Sequence, residues 1–369
     1  MRFSHPLMKG FSNDLAILNQ HTPHPGVGGR GKQPMSGQTQ GPFHEMFIRW
    51  LFLGWALVLH RVVKDNGDFN LTGILTPAEH LRWILSTTIL RIKTMNPVHY
   101  RPIIASALLE DIQSGDLTSE AIFPAEQLCS AKLIAKQAGV VAGIEVFKET
   151  FMLFDSSVSV ELHFNDGESC EDRDVIAHIK GPVLSVLGAE RVALNLLQRM
   201  SGIATLTRQF VELAEGKCKI LDTRKTAPNL RVLDKWAVEL GGGVNHRHGL
   251  YDMAMLKENH IKAAGGITQA VNKLLEYDNH QRPIEVEVTN LDELREALTC
   301  PVDRIMLDNM DNETMREAVE ITADKIDLEA SGNVSLETIK GISQTGVDYV
   351  SIGALTHSVK AMDYSLLVV

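Results

Sequence analysis

Six apolar runs that end in polar or ionisable residues recur between Lys219 and Leu355. They are KILDTRKT (219–226), MAMLKENH (253–260), IEVEVT (284–289), RIMLDN (304–309), IDLEASGN (326–333) and YVSIGAL (349–355). Helix-patterned segments such as LDELREALTC (291–300) and NETMREAVEIT (312–322) lie between them. Strand alternating with helix at this spacing predicts parallel strands joined by crossover helices, and six in succession favour a closed or nearly closed β/α barrel. In such a barrel the C-terminal strand ends converge on one mouth, where chemistry sits. Here they bring together Arg224, Lys225, Lys257, Glu287, Asp308 and Ser331. The pattern is that of an enzyme.

Ahead of the barrel, residues 95–215 read as a smaller α/β unit. Ile103, Ile104, Ala107 and Leu108 mark one helical face, and GDLT (115–118) stops that helix. Strand-like runs follow at AKLIAKQAGVVAG (131–143), VSVELHF (158–164) and DVIAHIKGPV (174–183), and then a long helical segment at 188–215. DGESCEDRDVIAHIKGP (166–182) has the look of a lipoyl-type half-barrel but no Lys at a hairpin tip, so it reads as scaffold. The barrel occupies 216–360, leaving 361–369 as a C-terminal segment free to return to the N-terminal unit. Residues 1–94 look foreign to the rest, with three of the four Trp and a Gly/Pro/Gln-rich stretch (21–42) that cannot build a core. Met95 reads as the natural start and the preceding segment as an over-extended reading frame; the alternative is a genuine but dispensable extension.

The candidate chemistry sits at the strand ends. LDTRKTAP (221–228) offers a guanidinium fork, an ammonium and the Thr223 and Thr226 hydroxyls to an anion. A TRKT string alone is more often a solvated loop, and its neighbourhood decides. GGGVNHRHGLYDMAMLKENH (241–260) adds three glycines that would let backbone N–H groups approach a ligand, then His246, Arg247 and His248, then Lys257 at the next strand end. Two basic pairs on consecutive strand–loop units are hard to explain as packing. Glu285 and Glu287 share one face of their strand because side chains alternate. With Asp308 they suit ribose hydroxyls or Mg2+, which prefers few carboxylates plus phosphate oxygens; pairing with Lys257 or Arg224 is the plainer explanation, and both can hold together. Ser331-Gly332-Asn333 and Gly353-Ala354, with His357 beyond, fit a phosphate pocket at the last two strands.

Composition narrows the partners. The net charge is −10, which argues against nucleic acid. It is uneven: residues 1–94 carry 10 Lys and Arg against 5 Asp and Glu, residues 95–369 carry 26 against 41. So acidic a region that still aims cations at one mouth implies a strongly anionic small substrate. Cys129, Cys170, Cys218 and Cys300 lack C-x-x-C spacing, which fits buried thiols in a reducing cytosol. FIRWLFLGWALVLH (47–60) is shorter than the ~20 residues a bilayer span needs and contains Arg49, so a membrane location is not expected.

EDIQSGDLT (110–118), GAERVALN (188–195), LDTRKTAP, GGGVNHRHGL, LKENHI (256–261), IEVEVTNLDE (284–293), IMLDNM (305–310), EASGNV (329–334) and SIGALTHS (351–358) together closely resemble the quinolinate phosphoribosyltransferases. These are the carboxylating nicotinate-nucleotide pyrophosphorylases of NAD biosynthesis. The resemblance runs from 95 to 369 nearly without gaps. It implies a type II phosphoribosyltransferase: an N-terminal open-faced α/β sandwich plus an incomplete β/α barrel. It also implies Mg2+, the substrates quinolinate and phosphoribosyl pyrophosphate, and a cytoplasmic homodimer whose subunits share active sites. By this resemblance Thr223, Arg224, Lys225, His246, Arg247 and Lys257 hold the pyridine dicarboxylate and pyrophosphate, and Arg191 reaches in from the partner. Glu287 and Asp308 engage the ribose and, directly or indirectly, the metal. Ser331, Gly332, Asn333, Gly353, Ala354 and His357 hold the 5′-phosphate, with Lys225, Lys257, Glu287 and Asp308 as the catalytic set. Rival expectations are a nicotinate-using relative, a homologue linked to molybdate uptake, and a silent barrel that senses a phosphorylated metabolite. The full cation set favours two carboxylates, and retention of Lys257, Glu287 and Asp308 favours catalysis over sensing.

Overall fold

The computed structural model describes residues 95–279 and 281–369. The expectations for residues 1–94, including the apolar stretch 47–60, lie outside the described residues.

A short 3-10 turn at Pro97–His99 leads into α1 (Arg101–Ile112), which buries Ile104 and Leu108. The GDLT turn does more than end this helix. Asp116 accepts the N–H groups of Thr118 and Ser119, both at 3.1 Å, and so caps a second helix, α2 (Leu117–Ile122). The chain continues through β1 (Leu128–Ala135), β2 (Gly139–Val140), α3 (Ile144–Phe154), β3 (Ser159–Leu162), β4 (Ser169–Cys170), β5 (Val175–Pro182) and the 31-residue α4 (Val183–Leu213). Strands β1, β3 and β5 form an antiparallel sheet. On one face Leu133, Ala177 and Ile179 pack under α3 and α4; on the other, Lys132, His178 and Lys180 remain partly or fully exposed. The result is an open-faced sandwich.

The second unit alternates as the pattern requires: β6 (Lys219–Leu221), α5 (Arg231–Leu240), β7 (Ala254–Leu256), α6 (Glu258–Ala264), α7 (Ile267–Asp278), β8 (Ile284–Val288), α8 (Leu291–Ala297), β9 (Arg304–Asp308), α9 (Asn312–Thr322), β10 (Asp327–Ser331), α10 (Ile339–Ser343), β11 (Tyr349–Ser351) and α11 (Ala354–His357). The six parallel strands run in the order β6-β11-β10-β9-β8-β7. No ladder joins β6 to β7. The break is narrowed by one parallel bridge between Leu221 and Val244, where the Val244 N–H donates to the Ile220 carbonyl at 2.8 Å. This is the incomplete barrel. The chain then returns to the sandwich as β12 (Tyr364–Val368), antiparallel to β1.

One sequence expectation is corrected here. The glycines 241–243 do not free backbone for a ligand. A Cβ on Gly241 would lie 2.5 Å from the Ala204 carbonyl, and one on Gly243 would lie 2.7 Å from Val238 and 2.9 Å from Thr207. The run lets the turn after α5 press against α4, and Gly242 also takes a φ of +97°.

Candidate active site

At the end of β6 the chain makes its first functional turn. Asp222 is fully buried and accepts the His246 N–H at 2.9 Å. Lys235, from α5, is equally buried; its Nζ contacts the Asp222 carboxylate and donates to the His246 carbonyl at 2.9 Å. Burial drives Asp222 up and Lys235 down, and each is what keeps the other charged. This ion pair pins the loop that fills the barrel's gap. The peptide presenting Arg224 and Lys225 is held as firmly. Arg231 donates to the Thr226 hydroxyl and the His248 carbonyl, both at 3.1 Å, and Thr356 donates to the Lys225 carbonyl at 3.0 Å. The Thr223 hydroxyl accepts the Lys225 N–H at 3.1 Å, which commits a lone pair to the turn but leaves its proton available.

The two arginines of the mouth are near enough to feel each other's charge, and neither forms an ion pair with a carboxylate among the described residues. The Arg224 Nε is buried and unpartnered among the described residues. Arg247 donates once, to the Met253 carbonyl at 3.0 Å. Burial, and then the neighbouring Arg224 charge, pull the Arg247 guanidinium below its usual range, against the opposing charges of Glu285 and Asp252. Two like charges held close and half-desolvated form a receptacle for an anion.

The next strand ends behave differently. Lys257 forms an ion pair with Glu287, so the plainer explanation of that acid holds. Asp308 accepts from the Asn309 side chain at 2.8 Å through Oδ2 alone. Asn333 donates to Asn309 at 3.1 Å, and Gly332, at φ +99°, sits where a Cβ would strike the Asn309 side chain at 2.2 Å. Ser331-Gly332-Asn333 is thus a built turn locked to the end of β9. Gly353 packs just as closely: its Cβ would fall 3.1 Å from the Lys225 stem and 3.0 Å from His357. His357 Nδ1 is engaged with the Ser358 hydroxyl at 2.7 Å. The structure therefore brings the basic turn beside Gly353, Ala354 and His357. Arg191 stands apart, exposed on α4, and no hydrogen bond or ion pair joins it to the strand-end residues.

Below the mouth lies a buried charged layer that sequence reasoning did not resolve. His246 Nε2 is 2.9 Å from Glu285 and 3.4 Å from Glu329, both acids fully buried. Arg304 donates to Glu329 at 3.2 Å and stacks 4.0 Å over Tyr349. Burial alone would pull the His246 pKa down; the two carboxylates outweigh it and push the ring up to about 9. His246 Nδ1 accepts the Arg247 N–H at 2.7 Å, a bond of the neutral ring. In either state Nε2 carries a proton toward the acids. The signal was present: Glu329 precedes Ser331 by two residues as Glu285 precedes Glu287, so all four face inward.

Sequence models of a known family cover most of the chain. The model described as "Quinolinate phosphoribosyl transferase, N-terminal domain" matches residues 116–201, and its C-terminal counterpart matches residues 203–367. A probable nicotinate-nucleotide pyrophosphorylase (carboxylating) of Bacillus subtilis (strain 168) is 46% identical over 273 residues, covering 74% of this chain and 94% of that protein. A mitochondrial quinolinate phosphoribosyltransferase (decarboxylating) of Nicotiana glauca is 46% identical over 285 residues, 72% of this chain and 81% of that protein. The crystal structure of NadC from Streptococcus pyogenes superposes with a TM-score of 0.72 at 41% identity, covering 75% of this chain and 99% of that one.

Proposed function

Because the chain belongs to the quinolinate phosphoribosyltransferase family, we propose that its basic mouth binds the two carboxylates of quinolinate. The enzyme transfers a phosphoribosyl group from phosphoribosyl pyrophosphate to quinolinate with decarboxylation, giving nicotinate mononucleotide, pyrophosphate and CO2 for NAD synthesis. The observation that carries the site assignment is the pair Arg224 and Arg247, which feel each other's charge and form no ion pair with a carboxylate among the described residues. A dianion relieves that repulsion, and fixed donors need no reorganisation to receive it.

Lys225 and Lys257 extend the positive field to the pyrophosphate, with Thr223 donating its free hydroxyl proton. His246 adds charge beneath the substrate through its place over the two acids. Ser331, Gly332, Asn333, Gly353, Ala354 and His357 take the 5′-phosphate, presenting hydroxyl, amide and imidazole donors on turns already locked in place. With both reactants held in line, the ring nitrogen attacks C1 of the ribose as pyrophosphate leaves. Glu287 stabilises the carbocation-like character at C1. The bond to the 2-carboxylate then breaks, CO2 departs, and the electron pair passes into the cationic pyridinium before a proton takes its place.

Mg2+ fits this mouth. Asp308 has one carboxylate oxygen uncommitted, Glu287 stands on the next strand, and Mg2+ favours such a sparse set completed by phosphate oxygens. Held by Asp308 and Glu287, such an ion would supply positive charge to offset the negative charge of pyrophosphate.

Two copies complete the site in this reading, with Arg191 supplied by the partner. Exposed apolar side chains support it: Leu117 and Ile122 on α2, and Leu250 and Tyr251 in the mouth loop. No helix among the described residues is long and apolar enough to cross a membrane, and the four free cysteines support a cytoplasmic location. Incubating the protein with quinolinate, phosphoribosyl pyrophosphate and Mg2+ should yield nicotinate mononucleotide and CO2. Turnover of nicotinate in place of quinolinate would overturn the assignment.

A further inference from the structure

A barrel interior is ordinarily filled by apolar layers, yet this one buries two carboxylates directly under the mouth. Glu285 and Glu329 are fully buried, and both Glu285 oxygens, Glu329 Oε1 and His246 Nε2 make close contacts without an aligned hydrogen bond among the described residues. Leaving such atoms dry is costly unless the arrangement serves something else. What both acids approach is one atom, His246 Nε2. Arg304 braces Glu329 from below and is itself held over the Tyr349 ring.

We propose that Glu285 and Glu329 are positioning residues that anchor His246 by Nε2–H and thereby aim its Nδ1, with the Arg247 backbone bound to it, at the quinolinate side of the mouth. The inference rests on the functional reading above and deepens it. The geometry gives each element one job. When the ring is neutral the acids fix which nitrogen keeps the proton, because two carboxylates 2.9 and 3.4 Å from Nε2 favour the Nε2–H tautomer. The opposite nitrogen is then an acceptor, and it receives the Arg247 amide at 2.7 Å. Arg247 is one of the two unpaired guanidiniums, so a rotated imidazole would release the peptide that places it. His246 itself, then Ser351 and Arg304, hold the Glu329 carboxyl down against its burial, and the Tyr349 ring packs on Arg304. The chain of support thus runs from the Tyr349 ring to the Arg247 amide in four contacts, and neither acid touches substrate itself.

The test combines nitrogen NMR with kinetics on the full chain. In 15N-histidine-labelled protein, His246, assigned by loss of its signals in His246→Gln, should show a protonated Nε2 and an acceptor Nδ1 once pH is raised above about 9 and the ring is neutral. In Glu285→Gln and Glu329→Gln that pattern should be lost. The KM for quinolinate should rise about tenfold or more, while the KM for phosphoribosyl pyrophosphate stays within about twofold, because only one substrate's cation has moved. Thermal melts accompany each variant. Should the substitutions unfold the protein, the wild-type spectrum still decides: a proton on Nδ1 alone overturns the proposal. So does an unchanged quinolinate KM in folded variants, or an equal loss for both substrates. If wild-type protein fails to bind quinolinate, the functional reading falls instead, whatever the tautomer.

Discussion

Lys257 and Glu287 form an ion pair across the adjoining ends of β7 and β8, so a mouth cation and a mouth acid neutralise each other before substrate arrives. The pair is partly exposed on the lysine side and nearly buried on the glutamate side. It divides the strand-end residues into two groups. Lys257 and Glu287 are preorganised against one another, whereas Arg224 and Arg247 are left with charge to offer.

Arg224→Ala should therefore weaken quinolinate binding by about 100-fold, the value of a charge-assisted contact. The fold should be little altered, because among the described residues no ion pair uses this guanidinium and its Nε has no hydrogen-bond partner. Calorimetric titration alongside a thermal melt checks both halves. Intact affinity would show that the two arginines serve another anion.

Much of this was legible in sequence. The six strands lie where alternating apolar runs ended in polar residues, and Asn312–Thr322 matches the helical segment read from its spacing. Strand ends carry chemistry because the topology gathers them, and topology follows from strand–helix alternation. The rest was hidden for physical reasons. The bridge from Val244 to Leu221 involves one residue and leaves no periodic trace. Lys235 reads as the polar face of a helix, yet α5 buries almost every side chain, and only the fold supplies Asp222 as its partner. Glycines 241–243 read as ligand-facing because flexibility and close packing leave the same mark in sequence. α2 is six residues long and was lost within a turn signal.

Arg191→Ala and Lys257→Ala should each inactivate the enzyme, and mixing them should restore part of the activity. A mixed dimer would contain one mouth with both residues intact, since Arg191 is exposed on α4 and Lys257 belongs to the barrel. Subunit exchange is followed with differently tagged chains. Confirmed exchange without activity would rule out a shared site.

Chelation should stop turnover while leaving quinolinate affinity within about twofold, because the proposed site holds that dianion by guanidiniums rather than by the metal. Asp308→Asn should raise the Mg2+ concentration needed for half-maximal rate. The two are read by steady-state rates across Mg2+ concentrations and by calorimetry in EDTA. Full activity in EDTA would remove the ion from this reading.

Protonation of His246 gives a stability contribution with a defined sign. Its folded pKa, about 9, lies above the ordinary value of 6.5 because Glu285 and Glu329 outweigh burial. The contribution is fully present below pH 6.5 and is lost as pH rises through 9. Its size is on the order of 2–3 kcal/mol. Urea unfolding at both ends of that window should show the loss in the wild type and a smaller one in His246→Gln. Equal slopes would mean that the ring stays neutral throughout.

The most destabilising single change among the site's supports should be Lys235→Met. Lys235 and Asp222 have no solvent access, so removing the ammonium strands a carboxylate that water cannot reach. Breaking such a pair costs about 3–5 kcal/mol. The loss should extend to function, because Lys235 also donates to the His246 carbonyl and Asp222 accepts the His246 N–H. Those two bonds hold the loop that carries Arg247, next in sequence. Denaturant unfolding should report the cost, and quinolinate titration at low temperature, where the variant is still folded, should report weakened binding. A stability change below about 1 kcal/mol would show that Asp222 escapes its burial by protonation, since a neutral carboxyl needs no counter-charge.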